Sequence, residues 1–114
     1  MSSHTENRIY RIDRFQVPED ARSAFMARVH ATHSILREQP GFIEDSVLEQ
    51  QTGTSGFSLV TMVVWQDEAS AGRAVAAVRS AHLASGFDRK AFLSETGIAA
   101  DIGTYVRRGL AGGV

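Results

Sequence analysis

Three side chains of this 114-residue chain could do chemistry on a small molecule: Trp65, Thr61 and His82. Trp65, the only tryptophan, ends the apolar run FSLVTMVVW and could stack on an aromatic ring while donating its indole N–H. Thr61 lies four residues earlier. Successive side chains of a strand alternate, so both fall on one face, and the hydroxyl could hydrogen-bond a carbonyl or a phenolate. His82 titrates near neutrality and could serve as a base or a donor. Each residue also has a purely structural reading: a tryptophan in the core or at its rim, a satisfied core hydroxyl, and an imidazole interacting with the last carbonyls of a helix. Phe25, Met26, Phe87 and Phe92 could wall a cavity or be plain core, and Tyr105 could donate a proton or seal a dimer edge.

Other chemistries find less support. His30 and His33, three apart on a helix, could converge on a metal, but no carboxylate or further histidine is placed to complete the shell, so no metal site is expected. There is no cysteine, which removes disulfides, thiolate catalysis and Cys-ligated metals and fits a reducing cytoplasm. No nucleophile-base-orienter set, phosphate-binding glycine loop or pair of carboxylates at credible spacing appears.

The elements that must position these residues follow from periodicity. Arg8 to Val17 reads as a first strand. Val17-Pro18-Glu19-Asp20 opens a helix on which Ala21, Phe25, Val29, Thr32 and Leu36 recur every three or four residues, with Met26 and His33 beside them, and Pro40-Gly41 stops it near Gln39. Phe42 to Gln51 reads as a second strand, and the turn chemistry of Gln51 to Gly56 joins it to Phe57–Trp65 as an antiparallel hairpin. A second helix spans about Asp67 to Leu83, with Ala71, Ala74, Val75 and Val78 as a narrow stripe that permits close approach to a sheet. Gly86 to Glu95 holds a short helical piece closed by Gly97, and Ile98 to Arg107 is the last strand.

The order strand, helix, strand, strand, helix, strand predicts an α+β, ferredoxin-like βαββαβ domain over residues 8–108, with residues 1–7 and 109–114 as flexible ends. Its four-stranded antiparallel sheet carries the helices on one face. On the third strand Phe57, Leu59, Thr61, Val63 and Trp65 form one row and Val60, Met62 and Val64 the other, and neither row can be left in water. The second row predicts cover by the same sheet of another copy, hence a homodimer.

Charge is nearly balanced, at -1 formally, so nothing draws in nucleic acid or an anionic membrane, and Arg8/Arg11/Arg14 and Arg107/Arg108 read as solvated strand ends. The N-terminus MSSHTENR has no apolar core of signal-peptide type, and no apolar run approaches the roughly 18 residues of a membrane span. The expectation is a cytoplasmic protein with neither nucleic acid nor membrane as partner.

Over nearly its whole length the sequence resembles the antibiotic biosynthesis monooxygenase family of dimeric α/β barrels. The features that carry the resemblance are Gln39-Pro40-Gly41-Phe42 between first helix and second strand, Trp65 followed by Gln66-Asp67-Glu68-Ala69, and Ser80-Ala81-His82-Leu83 closing the second helix. The resemblance implies small enzymes, some of which add oxygen to electron-rich aromatics such as anthrones without metal, flavin or haem, while others break down haem. In the anthrone-oxidising members a tryptophan ends the third strand, which Trp65 matches, and an asparagine lies on the same face at the position of Thr61. In the haem-degrading members an asparagine on the first strand and a helical histidine join the tryptophan. Here the histidine position is Val75, His82 lies two turns further on, and Asn7 sits too far before Pro18 to match well.

Two classes of function follow. One is a cofactor-independent monooxygenase for a small aromatic or quinol-like compound, with catalysis by Trp65, Thr61 and His82 and substrate contact by Phe25, Met26, Phe87, Phe92 and Tyr105. The other is a non-catalytic small-ligand-binding or structural dimer of the same fold, and haem degradation is a third reading. A solvent-open cavity lined by Trp65, Thr61 and His82 favours the enzyme, and a filled core there favours the binding or structural protein.

Overall fold

Period-two and helical patterning produce the expected elements in the expected order. The structure, a computed structural model, describes residues 7–109. It contains β1 (Ile9–Gln16), a 3-10 turn (Glu19–Ala21), α1 (Arg22–Leu36), β2 (Phe42–Glu49), β3 (Leu59–Trp65), α2 (Glu68–Ser85), α3 (Arg89–Thr96) and β4 (Ala99–Tyr105). The strands form one antiparallel sheet in the order β2-β3-β1-β4, the ferredoxin-like arrangement. Of the ends expected to be flexible, 1–7 and 109–114, all but residues 7 and 109 lie outside the described residues.

Local chemistry sets the boundaries. Pro18 stays extended (φ -57°, ψ 146°), so the first helix begins as a single 3-10 turn, with the Ala21 N–H donating to the Pro18 carbonyl at 2.9 Å. At its far end α1 stops at Leu36, before Gln39, because the last turn tightens into bonds from Glu38 and Gln39 N–H to the carbonyls three residues back. Asp67 caps α2 by accepting from the Ser70 N–H at 2.8 Å, and Gly86, with φ 76°, ends it. The Gly86–Glu95 stretch holds α3, capped by Asp88 and closed by Gly97.

The row Leu59, Thr61, Val63 and Trp65 is buried beneath the helices, and α1 buries Phe25, Val29 and His33 at four-residue spacing. On α2 the closest approach is made by the small Ser70 and Ala74. The core divides into two clusters, Phe15/Ala21/Phe25/Val29/Leu59/Ile98 and Val63/Trp65/Ala74. Register places Tyr10, Ile12, Val60, Met62 and Val64 on the opposite face, where Leu48 and Tyr105 are 55% and 49% exposed.

One irregularity affects the site. In β2 Phe42 pairs with Trp65, but Glu44, not Ile43, pairs with the next residue, Val64. The extra residue is a β-bulge, and it turns Asp45 to the helix side of the sheet, opposite Val63.

Candidate active site

A cavity of about 670 Å³ opens between the sheet and the helices, lined by residues of both core clusters. Trp65, Thr61 and His82 all line it, as do Phe25, Phe87 and Phe92. Two expected residues do not. Met26 packs against the Phe15/Phe25 cluster, where i+1 from Phe25 turns it away from the cavity. Tyr105 pairs with Tyr10 on the opposite face of the sheet, because the parity of β4 presents Thr104 to the cavity instead.

Trp65 is 3% exposed and meets Phe42 edge-on, with centroids 5.8 Å apart, so it is at once a wall of the cavity and a member of the core. What holds this end together is Gly41. Its carbonyl accepts from the Gln66 N–H at 2.8 Å, and the fully buried Ser70 side chain lies directly against its Cα. The Pro40-Gly41-Phe42 turn thereby ties the start of β2 to the start of α2 on either side of Trp65.

Three groups on the wall escape the sequence reading. The first is on β1, where Ile9, Arg11, Asp13 and Phe15 alternate onto the cavity face, so Arg11 is no solvated strand end. It pairs with Asp13 (Nε to Oδ1, 2.9 Å), both partly buried. Period two in the sequence carried this signal. The second is Arg28, one turn from Phe25 and Thr32 on the inner face of α1, at a spacing that was also legible.

The third is a buried His33–Asp45 pair. His33 Nδ1 lies 3.0 Å from Asp45 Oδ2, and Arg37 donates to both oxygens of the same carboxylate at 2.9 and 3.2 Å. Burial opposes the Asp45 charge, but the hydrogen bonds from Arg37 and His33 outweigh it and hold the carboxyl below its usual range. The ionised Asp45 carboxylate accepts from the His33 Nδ1–H. His30 does not converge with His33 on the main cavity, and no cluster of three or more His, Cys, Asp or Glu side chains forms among the described residues.

At the opposite end His82 meets Phe87 edge-on at 4.9 Å, Phe87 packs on Phe92 at 5.6 Å, and Arg28 stacks on the face of Phe87 at 3.6 Å. Burial, then the positive charges of Arg28 and Arg89, push the His82 pKa down, so its imidazole is neutral at neutral pH and able to accept a proton. The arrangement therefore offers an aromatic and hydroxyl end, Trp65 and Thr61, and a neutral base beside cations at the other.

A model of the antibiotic biosynthesis monooxygenase family matches residues 8–83. Solved structures share the fold. One is SnoaB, a cofactor-independent oxygenase from Streptomyces nogalater, at 21% identity over 92% of this chain and 97% of that one, with a TM-score of 0.64. A second is a conserved protein from Methanosarcina mazei Go1, also 21% identical, with the same coverage and a TM-score of 0.70. A third is Rv0793 from Mycobacterium tuberculosis, 17% identical over 91% of this chain and 98% of that one, at 0.62. No curated protein sequence matches significantly. No helix among the described residues is long and apolar enough to cross a membrane.

Proposed function

Since the chain belongs to the antibiotic biosynthesis monooxygenase family, we propose that it is a cofactor-independent monooxygenase acting on a small aromatic or quinol-like compound. In that reaction class one atom of O2 enters the substrate, the other leaves as water, and the substrate supplies the two hydrogens and the electrons. The protein must hold the ring, take a proton so that the resulting anion can pass an electron to oxygen, and limit water. Trp65 stacks on the ring, Thr61 hydrogen-bonds its oxygen, Phe25, Phe87 and Phe92 wall it, and His82 accepts the proton.

The observation that carries this reading is the cavity itself. A domain of this size would ordinarily pack its centre to the density of an organic crystal, yet here about 670 Å³ stays open, and the three side chains with usable chemistry border it. That geometry favours the enzyme over a structural dimer. The description of SnoaB as a cofactor-independent oxygenase supports the same chemistry at the level of fold. Val75 lines the cavity where the haem-degrading pattern has its histidine, and an aliphatic side chain cannot serve as a haem ligand.

Because Trp65 is the only tryptophan, its fluorescence reports occupancy of the cavity. Anaerobic titration with anthrone or a hydroquinone is expected to give a saturable change in Trp65 emission. A folded protein with unchanged emission across such a panel would contradict the reading.

We also propose a two-fold dimer through the open face of the sheet, where Leu48 and Tyr105 are exposed beside Ile12, Val60 and Met62. Light scattering at micromolar concentration is expected to give twice the mass of one chain, and a monomer would contradict it. A cytoplasmic location is part of the same proposal, and fractionation of the source cells tests it.

A further inference from the structure

The Phe87 corner of the cavity holds two buried polar atoms without a hydrogen-bond partner, Arg28 Nε and His82 Nε2. Native proteins rarely leave such atoms unpaired, and two of them facing one corner point to a catalytic role or a bound partner there. The Arg28 guanidinium lies 3.6 Å over the Phe87 ring, so stacking occupies its face and leaves its N–H edge available. His82 meets the edge of the same ring. Arg79, one turn before His82 on α2, and Arg89, the first residue of α3, line the same end.

Among the described residues no carboxylate pairs with the arginines of this corner, and the neighbouring Asp88 is engaged in capping α3. Of the two carboxylates that line the cavity, Asp13 is taken by Arg11, and Glu68 starts α2, about 20 Å along the helix from His82. Arg28, Arg79 and Arg89 enter none of the ion pairs formed among the described residues.

We infer that this corner is an oxyanion site: Arg28, with Arg89 close by, binds the deprotonated hydroxyl of a phenol or an enol beside His82. The substrate O–H bond breaks, a new N–H bond forms at His82 Nε2, and the electron pair stays on oxygen, where the guanidinium N–H groups hold it. Burial, then Arg28 and Arg89, oppose a charge on His82, and the new anion beside them offsets the arginines, so imidazolium and oxyanion form together. The inference rests on the oxygenase reading and adds to it the groups that hold the substrate anion, Arg28 with Arg89 close by.

The test measures ionisation, not turnover. A hydroxyanthraquinone, whose visible absorption reports ionisation of its hydroxyl, is titrated with pH when free and when bound. The bound hydroxyl is expected to ionise at least one pH unit lower than the free one, a tenfold shift or more. Arg28→Gln is expected to return it to the free value, and Arg89→Glu, at an exposed position that spares folding, to raise it. A dye that binds with unshifted ionisation overturns the oxyanion site and leaves the oxygenase reading standing. A dye that fails to bind folded protein overturns both.

Discussion

Replacing Gly41 by alanine is expected to destabilise the protein by about 3 kcal/mol, and so to lower Tm by about 10 °C or more. Two costs add. Gly41 has φ 89°, a left-handed conformation that costs an L-residue roughly 1–2 kcal/mol. A Cβ there would also overlap Ser70 Oγ and Cβ, and Ser70 has no exposed surface into which to retreat. Thermal melts of Gly41→Ala, Ser70→Gly and the double variant separate the two terms. The double variant is expected to be more stable than the sum of the singles, because removing the Ser70 side chain relieves the overlap but not the backbone strain. Strict additivity would mean that the close packing of Gly41 on Ser70 is absent. The turn matters for function because it fixes Phe42, and hence the edge against which Trp65 rests.

The second large effect is expected at Trp65 itself. Trp65→Phe keeps an aromatic ring on the wall but loses the indole N–H and part of the stacking surface. Its kcat/KM for oxygenation is expected to fall more than tenfold, about 1.4 kcal/mol of transition-state stabilisation. Stability should fall by only about 1 kcal/mol, since the smaller ring still packs against Phe42. Steady-state kinetics and melting curves on the same preparation decide the matter. Equal losses in the two would make Trp65 a packing residue.

How far the sequence carried these conclusions depends on the kind of residue. Strands and helices were legible because their apolar residues recur at periods of two and of three to four, and the turns were marked by Pro40-Gly41, Gly53, Gly86 and Gly97, all four glycines having positive φ in the structure. The wall residues Trp65 and Thr61 were legible for the same reason, and His82 was singled out by the chemistry of its imidazole. Arg11, Asp13 and Arg28 sit on those same faces, but a charged side chain reads as solvated unless a cavity is known to lie beneath it. The His33–Asp45 pair was beyond reach. It depends on the bulge at Ile43, which shifts the parity of β2 by one residue and which no local pattern announces. Tyr105 is the converse case: an aromatic on a short alternating strand looks equally suited to either face, and pairing with Tyr10 puts it on the open face, where the dimer is proposed, and not on the cavity.

Oxygen uptake by the metal-stripped protein tests the account most directly, using a panel of anthrones and hydroquinones with Trp65→Phe and His82→Ala in parallel. A cofactor-independent monooxygenase is expected to give uptake above the spontaneous rate with wild type and a fall in both variants. Folded, dimeric protein that consumes no oxygen above the spontaneous rate with any of them would contradict it and leave a ligand-binding protein in its place.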